Sequence, residues 1–132
     1  MNVPFAEFKG QLTSIEPEIR AAIDEVFASG WYILGKQGEA FEREFAEFTD
    51  TQHCAGVASG TDAIQLALEA VGIGEGDEVV TVANTCVPTA CGIVATGAKL
   101  VLVDADPETL TKAPEGLEEA NTSRTRAIVP VH

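Results

Sequence analysis

Two short polar stretches of this chain combine residue types that can hold a ligand. In Ser59-Gly60-Thr61-Asp62, hydroxyls and a glycine separate a short apolar run from a helical one. A helix starting there leaves the N–H groups of its first turn without intrahelical partners. Its dipole adds partial positive charge, so an anion such as a phosphate can be held. Gly60 allows close backbone approach, and Thr61 adds a hydroxyl donor. The same residues also make a plain helix start, with Ser59 or Thr61 as N-cap and Asp62 as the acid that matches the dipole. The Asp62 carboxylate would even repel a phosphate slightly, and spacing alone leaves both readings open. The second stretch is Ala83-Asn84-Thr85-Cys86-Val87-Pro88-Thr89. Thr85 and Cys86 could face a ligand; alternatively Asn84 or Thr85 caps a helix and Cys86 is a small buried apolar residue.

Other chemistries are poorly served. The dinucleotide fingerprint G-x-G-x-x-G and the P-loop are both absent. Cys54, Cys86 and Cys91 are odd in number and show no C-x-x-C spacing, so no disulfide framework is expected. With only His53 and His132 beside them, no metal site is expected either.

The elements that must position these stretches follow from periodicity. Ser14 is placed to cap a helix running to about Ala28, with Ile15, Ile19, Ala22, Ile23 and Phe27 at helical spacing and Gly30 as its stop. A second helix fits Gly38 to Phe48, and its seam of Phe41, Phe45 and Phe48 is expected in the core. Cys54 to Ala58 reads as a short strand. Ala63 to Val71 reads as a helix stopped by Gly72. Glu78 to Val82, Lys99 to Val103 and Arg126 to Val131 are strands rich in β-branched residues. Val87 to Thr96 is a helix with Pro88 in its first turn and Gly97 closing it, and a short helix fits Pro114 to Ala120. Strand and helix alternate, and the strands are continuous apolar runs. The fold class is therefore α/β, with helices flanking a mainly parallel sheet covered on both faces. Ligands of such sheets bind beyond the carboxyl ends of the strands, where both polar stretches fall.

Composition bounds the partners. The chain has 132 residues with 45% apolar and 22% charged residues, as in a globular domain. A formal charge of −13, spread along the chain, argues against nucleic acid, whose phosphates need clustered Lys and Arg. No apolar run approaches the roughly 20 residues of a membrane span. Met1 to Glu7 carries neither a basic nor an apolar leader pattern, so a cytoplasmic location is expected.

The order and wording of the segments carry more than any single motif. Gly30-Trp31-Tyr32-Ile33-Leu34-Gly35 is followed by Phe41-Glu42-Arg43-Glu44-Phe45-Ala46 and by Gly56-Val57-Ala58-Ser59-Gly60-Thr61-Asp62-Ala63-Ile64. Then come Gly72-Ile73-Gly74-Glu75-Gly76-Asp77-Glu78-Val79-Val80-Thr81, Gly97-Ala98-Lys99-Leu100-Val101-Leu102-Val103-Asp104 and Ala127-Ile128-Val129-Pro130-Val131-His132. Taken in this order, from about Ile15 to His132, they resemble the DegT/DnrJ/StrS family of enzymes dependent on pyridoxal 5'-phosphate (PLP). The resemblance implies the aspartate-aminotransferase fold, with residues 1–50 a helical segment and 51–132 part of the PLP-binding large domain. It also implies amination of a nucleotide-linked keto-sugar, and a PLP phosphate held at Gly60, Thr61 and Asp62.

Cys86 takes the place of an aromatic residue that stacks on the cofactor ring in the family, and it offers less area for that contact. Asp104 is implied to end a core strand, without a catalytic role. None of Lys9, Lys36, Lys99 and Lys112 matches the family's Schiff-base lysine, so no residue is assigned a catalytic role and the chain alone is expected not to transaminate. In the family fold, the strand near Val57 is separated from the other strands by later ones. The chain is therefore expected to form a homo-oligomer or to rearrange its sheet. A PLP-dependent dehydratase and a non-catalytic regulatory or interaction module are the alternatives within the same fold.

Overall fold

The computed structural model describes residues 3–111 and 114–131, with backbone alone at 114 and 115. Lys112 and His132 lie outside the described residues. The chain divides into two compact units, Met1–Gly56 and Val57–His132.

The first unit is helical. Helix α1 spans Lys9–Ser29 and ends at Gly30, whose φ of 65° is the left-handed conformation that favours glycine. The helix begins five residues before the expected cap. Ser14 is an interior residue, and its hydroxyl donates to the Gln11 carbonyl. Helix α2 spans Lys36–Phe48. Its aromatic seam does not form a core: Phe41, Phe45 and Phe48 are 56%, 45% and 85% exposed. Only Ala46 of α2 is buried, and no residue of α1 is, because an amphipathic helix buries its apolar face only against another apolar face.

The second unit holds the sheet. Helix α3 spans Gly60–Ala70, strand β1 Glu78–Val82, helix α4 Val87–Ala95, strand β2 Lys99–Val103, helix α5 Pro114–Ala120 and strand β3 Thr125–Ile128. The strands lie in the order β2-β1-β3, and both pairings are parallel. Val79 stands level with Leu100 on one side and Ala127 on the other. These three face α3 and α4 and pack with Leu68, Ile73, Ile93 and Ala98. Val80 points the other way and lines a cleft with Leu117 of α5 and Ile128.

Burial on both faces holds for central β1, all five residues of which are buried. The outer strands are only half covered, and Leu102 and Ile128 are 52% and 46% exposed. Cys54 to Ala58 forms no ladder with any described strand, contrary to the strand expected there. An extended segment becomes a strand only when a neighbour takes up its N–H and C=O groups. Among the described residues, no helix is long and apolar enough to cross a membrane.

Candidate functional site: the carboxyl edge of the sheet

A seven-residue turn leads from the end of α3 to the start of β1, so the first turn of α3 lies toward the opposite, carboxyl edge of the strands. Helix α4 begins at that same edge, four residues after β1. Both polar stretches therefore reach one end of the sheet, where parallel α/β folds bind their ligands.

Ser59 is the N-cap of α3, with extended φ and ψ of −159° and 167°, and its Oγ accepts from the Asp62 N–H at 3.2 Å. The capping reading is thus correct for Ser59. It does not consume the site, because the N–H groups of Gly60 and Thr61 have no partner among the described residues. Gly60 is exposed, with no atom within 4 Å of where a Cβ would stand. Thr61 and Asp62 are half-buried. Two free donors in open space at a helix N-terminus can hold a phosphate.

What places this turn is Gly92 in α4. A Cβ on Gly92 would stand 2.8 Å from the Thr61 carbonyl oxygen and 3.0 Å from Ile64 Cβ and Cγ2. Only glycine lets α4 touch the first turn of α3 so closely. Sequence reasoning passed over Gly92. The signal was a glycine inside a helical pattern, which is costly there unless close packing requires it.

Cys86 is the N-cap residue of α4, with no side-chain cap bond. Its thiol is free and exposed, so the buried apolar alternative is wrong. Neither Asn84 nor Thr85 caps the helix. Asn84 Nδ2 donates to the Leu110 carbonyl at 2.9 Å, and Thr85 Oγ1 donates to Thr89 Oγ1 at 2.9 Å. Cys86 Sγ lies 3.7 Å from the same Thr89 oxygen. Cys86 precedes Gly92 by six positions, about 9 Å at the helical rise of 1.5 Å per residue. The free N–H groups at Gly60 and Thr61 and the Cys86 thiol are thus offset along α4. Asp104, just beyond β2, is exposed.

The opposite edge carries charge. Glu78 is 2% exposed and accepts from Thr122 Oγ1 at 2.6 Å, Arg124 Nη2 at 2.7 Å and Lys99 Nζ at 3.0 Å. The Thr122 hydroxyl, then Lys99, hold its carboxyl below the usual glutamate range. Lys99 is therefore committed at the amino edge, and it is the one lysine of the second unit among the described residues. Lys9 and Lys36 open α1 and α2. Among the described residues, no group of His, Cys, Asp and Glu could hold a metal.

A sequence model of the DegT/DnrJ/EryC1/StrS aminotransferase family matches residues 13–132. The chain belongs to that family. It is 50% identical over 115 residues to a dTDP-3-amino-3,4,6-trideoxy-alpha-D-glucose transaminase of Micromonospora megalomicea subsp. nigra, which covers 87% of the chain and 31% of the relative. Over all 132 residues it is 43% identical to a pleiotropic regulatory protein of Geobacillus stearothermophilus, covering 36% of that protein. Among solved structures it superposes on S. venezuelae DesV in complex with a ketimine intermediate, with a TM-score of 0.94 and 45% identity over 98% of the chain and 35% of DesV. It also superposes on NtdA from Bacillus subtilis with bound cofactor PMP, with a TM-score of 0.91 and 35% identity over 99% of the chain and 30% of NtdA. The chain spans about a third of the length of these relatives. The sheet matches the N-terminal part of the PLP aminotransferase fold.

Proposed function

We propose that this chain is the N-terminal part of a PLP-dependent aminotransferase acting on a nucleotide-linked keto-sugar. Residues 1–50 are its helical segment and 51–132 part of its PLP-binding large domain. Gly60, Thr61 and Asp62 hold the cofactor phosphate, and Cys86 borders the ring. The observation that carries this reading is the pair of N–H groups on Gly60 and Thr61, at the carboxyl edge of the sheet, that have no partner among the described residues. The residues fit the phosphate end of the cofactor. They do not include an anchoring lysine, and we infer that this chain alone does not transaminate.

When bound, PLP supplies the electron sink for amino-group transfer. What this chain contributes is binding and orientation. The two N–H groups and the dipole of α3 take up phosphate charge, the Thr61 hydroxyl adds a donor, and the open space at Gly60 admits the phosphate oxygens. Substrate binding, and the homo-oligomer expected of the chain, belong to this same reading. It draws support from relatives named as transaminases of dTDP-sugars.

The test is Gly60→Pro. Gly60 is the first residue of α3, where proline is well tolerated, and the extended Ser59 is the conformation a following proline requires. The substitution deletes one N–H and leaves the helix in place. Binding of inorganic phosphate and of PLP, followed by ³¹P NMR and calorimetry, should weaken about tenfold or more, as expected for a hydrogen bond to a charged group. Equal affinity in both proteins would sink the cradle.

A second reading is a non-catalytic regulatory or interaction module of the same fold. It rests on the name of the Geobacillus relative and on the absence of a lysine from the carboxyl edge among the described residues. Phosphate and PLP binding at wild-type Gly60 and Thr61 favours the aminotransferase reading; binding of neither favours the module.

A further inference from the structure

The loop after β2 folds on itself. Asp106 Oδ1 accepts from the Glu108 N–H at 2.9 Å, the Thr109 N–H at 2.8 Å and Thr109 Oγ1 at 3.1 Å. The Asp106 N–H donates to the Thr111 carbonyl at 2.7 Å, and the Leu110 N–H to the Asp106 carbonyl at 2.8 Å. Leu110 is held at a φ of 59°, a left-handed conformation that leucine rarely adopts. A loop so bonded moves as one piece. The loop after β1, which carries Cys86, stands beside it, because β1 and β2 pair in register through Val82 and Val103. Among the described residues, one side-chain hydrogen bond joins the two loops, from Asn84 Nδ2 to the Leu110 carbonyl. A carbonyl only accepts, so this bond needs the amide NH₂ of Asn84.

We propose that Asn84 is a positioning residue for the ring side of the carboxyl-edge site. Its amide clamps the loop 106–111 to the turn 83–86 and so fixes where Thr85 and Cys86 sit. The proposal rests on the cofactor reading above, but it concerns a different part of the site. The phosphate donors are on α3, and the turn that Asn84 fixes leads into α4. Because Asn84 is exposed, replacing it leaves the core of the second unit intact. Loss of the clamp therefore separates ring binding from phosphate binding, whereas a general loosening of the fold would weaken both.

The experiment compares wild type with Asn84→Ala, Asn84→Asp and Asn84→Gln in the full chain. Calorimetry gives the affinities for PLP and for inorganic phosphate, and NMR gives hydrogen exchange at the Asp106 and Leu110 amides. Asn84→Ala and Asn84→Asp both lack the donor. Their PLP affinity should fall about three- to tenfold, the range of one neutral hydrogen bond, with phosphate affinity unchanged and both loop amides exchanging faster. Asn84→Gln keeps the donor on a longer arm and should recover part of the loss. Equal loss of both ligands, or loop exchange identical to wild type, would overturn the proposal. Wild-type chain that binds neither ligand would remove the cofactor reading and the ring-side role with it. Loop exchange in that case would still decide whether Asn84 braces the two loops.

Discussion

The two ends of the sheet are built on opposite principles. At the amino edge, one buried carboxylate, Glu78, gathers Thr122, Arg124 and Lys99 from the chain around all three strands. Its negative charge is fully answered there. At the carboxyl edge, beside the acids Asp62, Asp104 and Asp106, the groups are short donors and hydroxyls: N–H groups of Gly60 and Thr61, hydroxyls of Thr85 and Thr89, the Cys86 thiol and the Asn84 amide. Two of those donors have no partner among the described residues. A satisfied cluster joins strands, while exposed free donors stay open to water or to a ligand. On the proposed reading the contrast puts cohesion at one end and recognition at the other, and the two should then respond separately to mutation.

The largest effect is expected from Gly92→Val. A Cβ at that position meets the Thr61 carbonyl at 2.8 Å, and a branched side chain adds further overlap with Ile64. Overpacking of this kind costs about 1–3 kcal/mol. It also displaces the first turn of α3. Thermal unfolding should shift down by several degrees, and phosphate binding should be lost. Gly92→Ala should show a smaller version of both effects. Unchanged phosphate affinity in a folded Gly92→Val protein would mean that α4 does not set the cradle.

An intermediate effect tests the other end. The carboxyl of Glu78 is held below the usual glutamate range, first by the Thr122 hydroxyl and then by Lys99. A carboxylate with a lowered folded pKa contributes stability that is fully present above its unfolded pKa, about 4.3 for glutamate. That contribution is lost as pH falls through the lower folded value. Asp106 is shifted the same way, chiefly by the Thr109 N–H and then the Glu108 N–H, and adds its own acid limb. Glu78→Gln should therefore lower stability near neutral pH and flatten its fall below about pH 4.3 without abolishing it. Urea unfolding at a series of pH values measures this. Phosphate affinity should not change, and a loss of it would show that the two ends are coupled.

How much of this was legible in the sequence depended on whether the cause was local. The strands Glu78–Val82 and Lys99–Val103 were legible to the residue because apolar, β-branched runs preceded by Gly76 and Gly97 mark them, and the helix Pro114–Ala120 because a proline opens it. The Gly60-Thr61 turn was legible as a helix start; its reading as a phosphate cradle comes from the family resemblance and belongs to the proposal. The core role expected of Phe41, Phe45 and Phe48 failed because helical spacing shows a face and not what covers it. The strand expected at Cys54 to Ala58 failed for a related reason, since a ladder needs a neighbour. The contacts made by Gly92, Asn84 and Leu110 were illegible. Their roles depend on approaches between segments distant in sequence, such as Asn84 to Leu110 across 26 positions.

The smallest expected effect bears on the proposed ring side of the carboxyl edge. Cys86 is exposed at the start of α4, with its thiol free and no cap bond to lose. A tyrosine there would present an aromatic face where the chain now presents a sulfur. Stacking is worth about 0.5–1.5 kcal/mol beyond the area it buries, so Cys86→Tyr should tighten PLP binding by a few fold. Inorganic phosphate has no ring, and its affinity should stay as in the wild type. The two titrations together separate the ring from the phosphate. Tighter PLP with unchanged phosphate puts Cys86 beside the ring. A parallel gain for both ligands would mean that residue 86 acts through α4 on the cradle itself, and the division of the recognition end into ring and phosphate sides would fail.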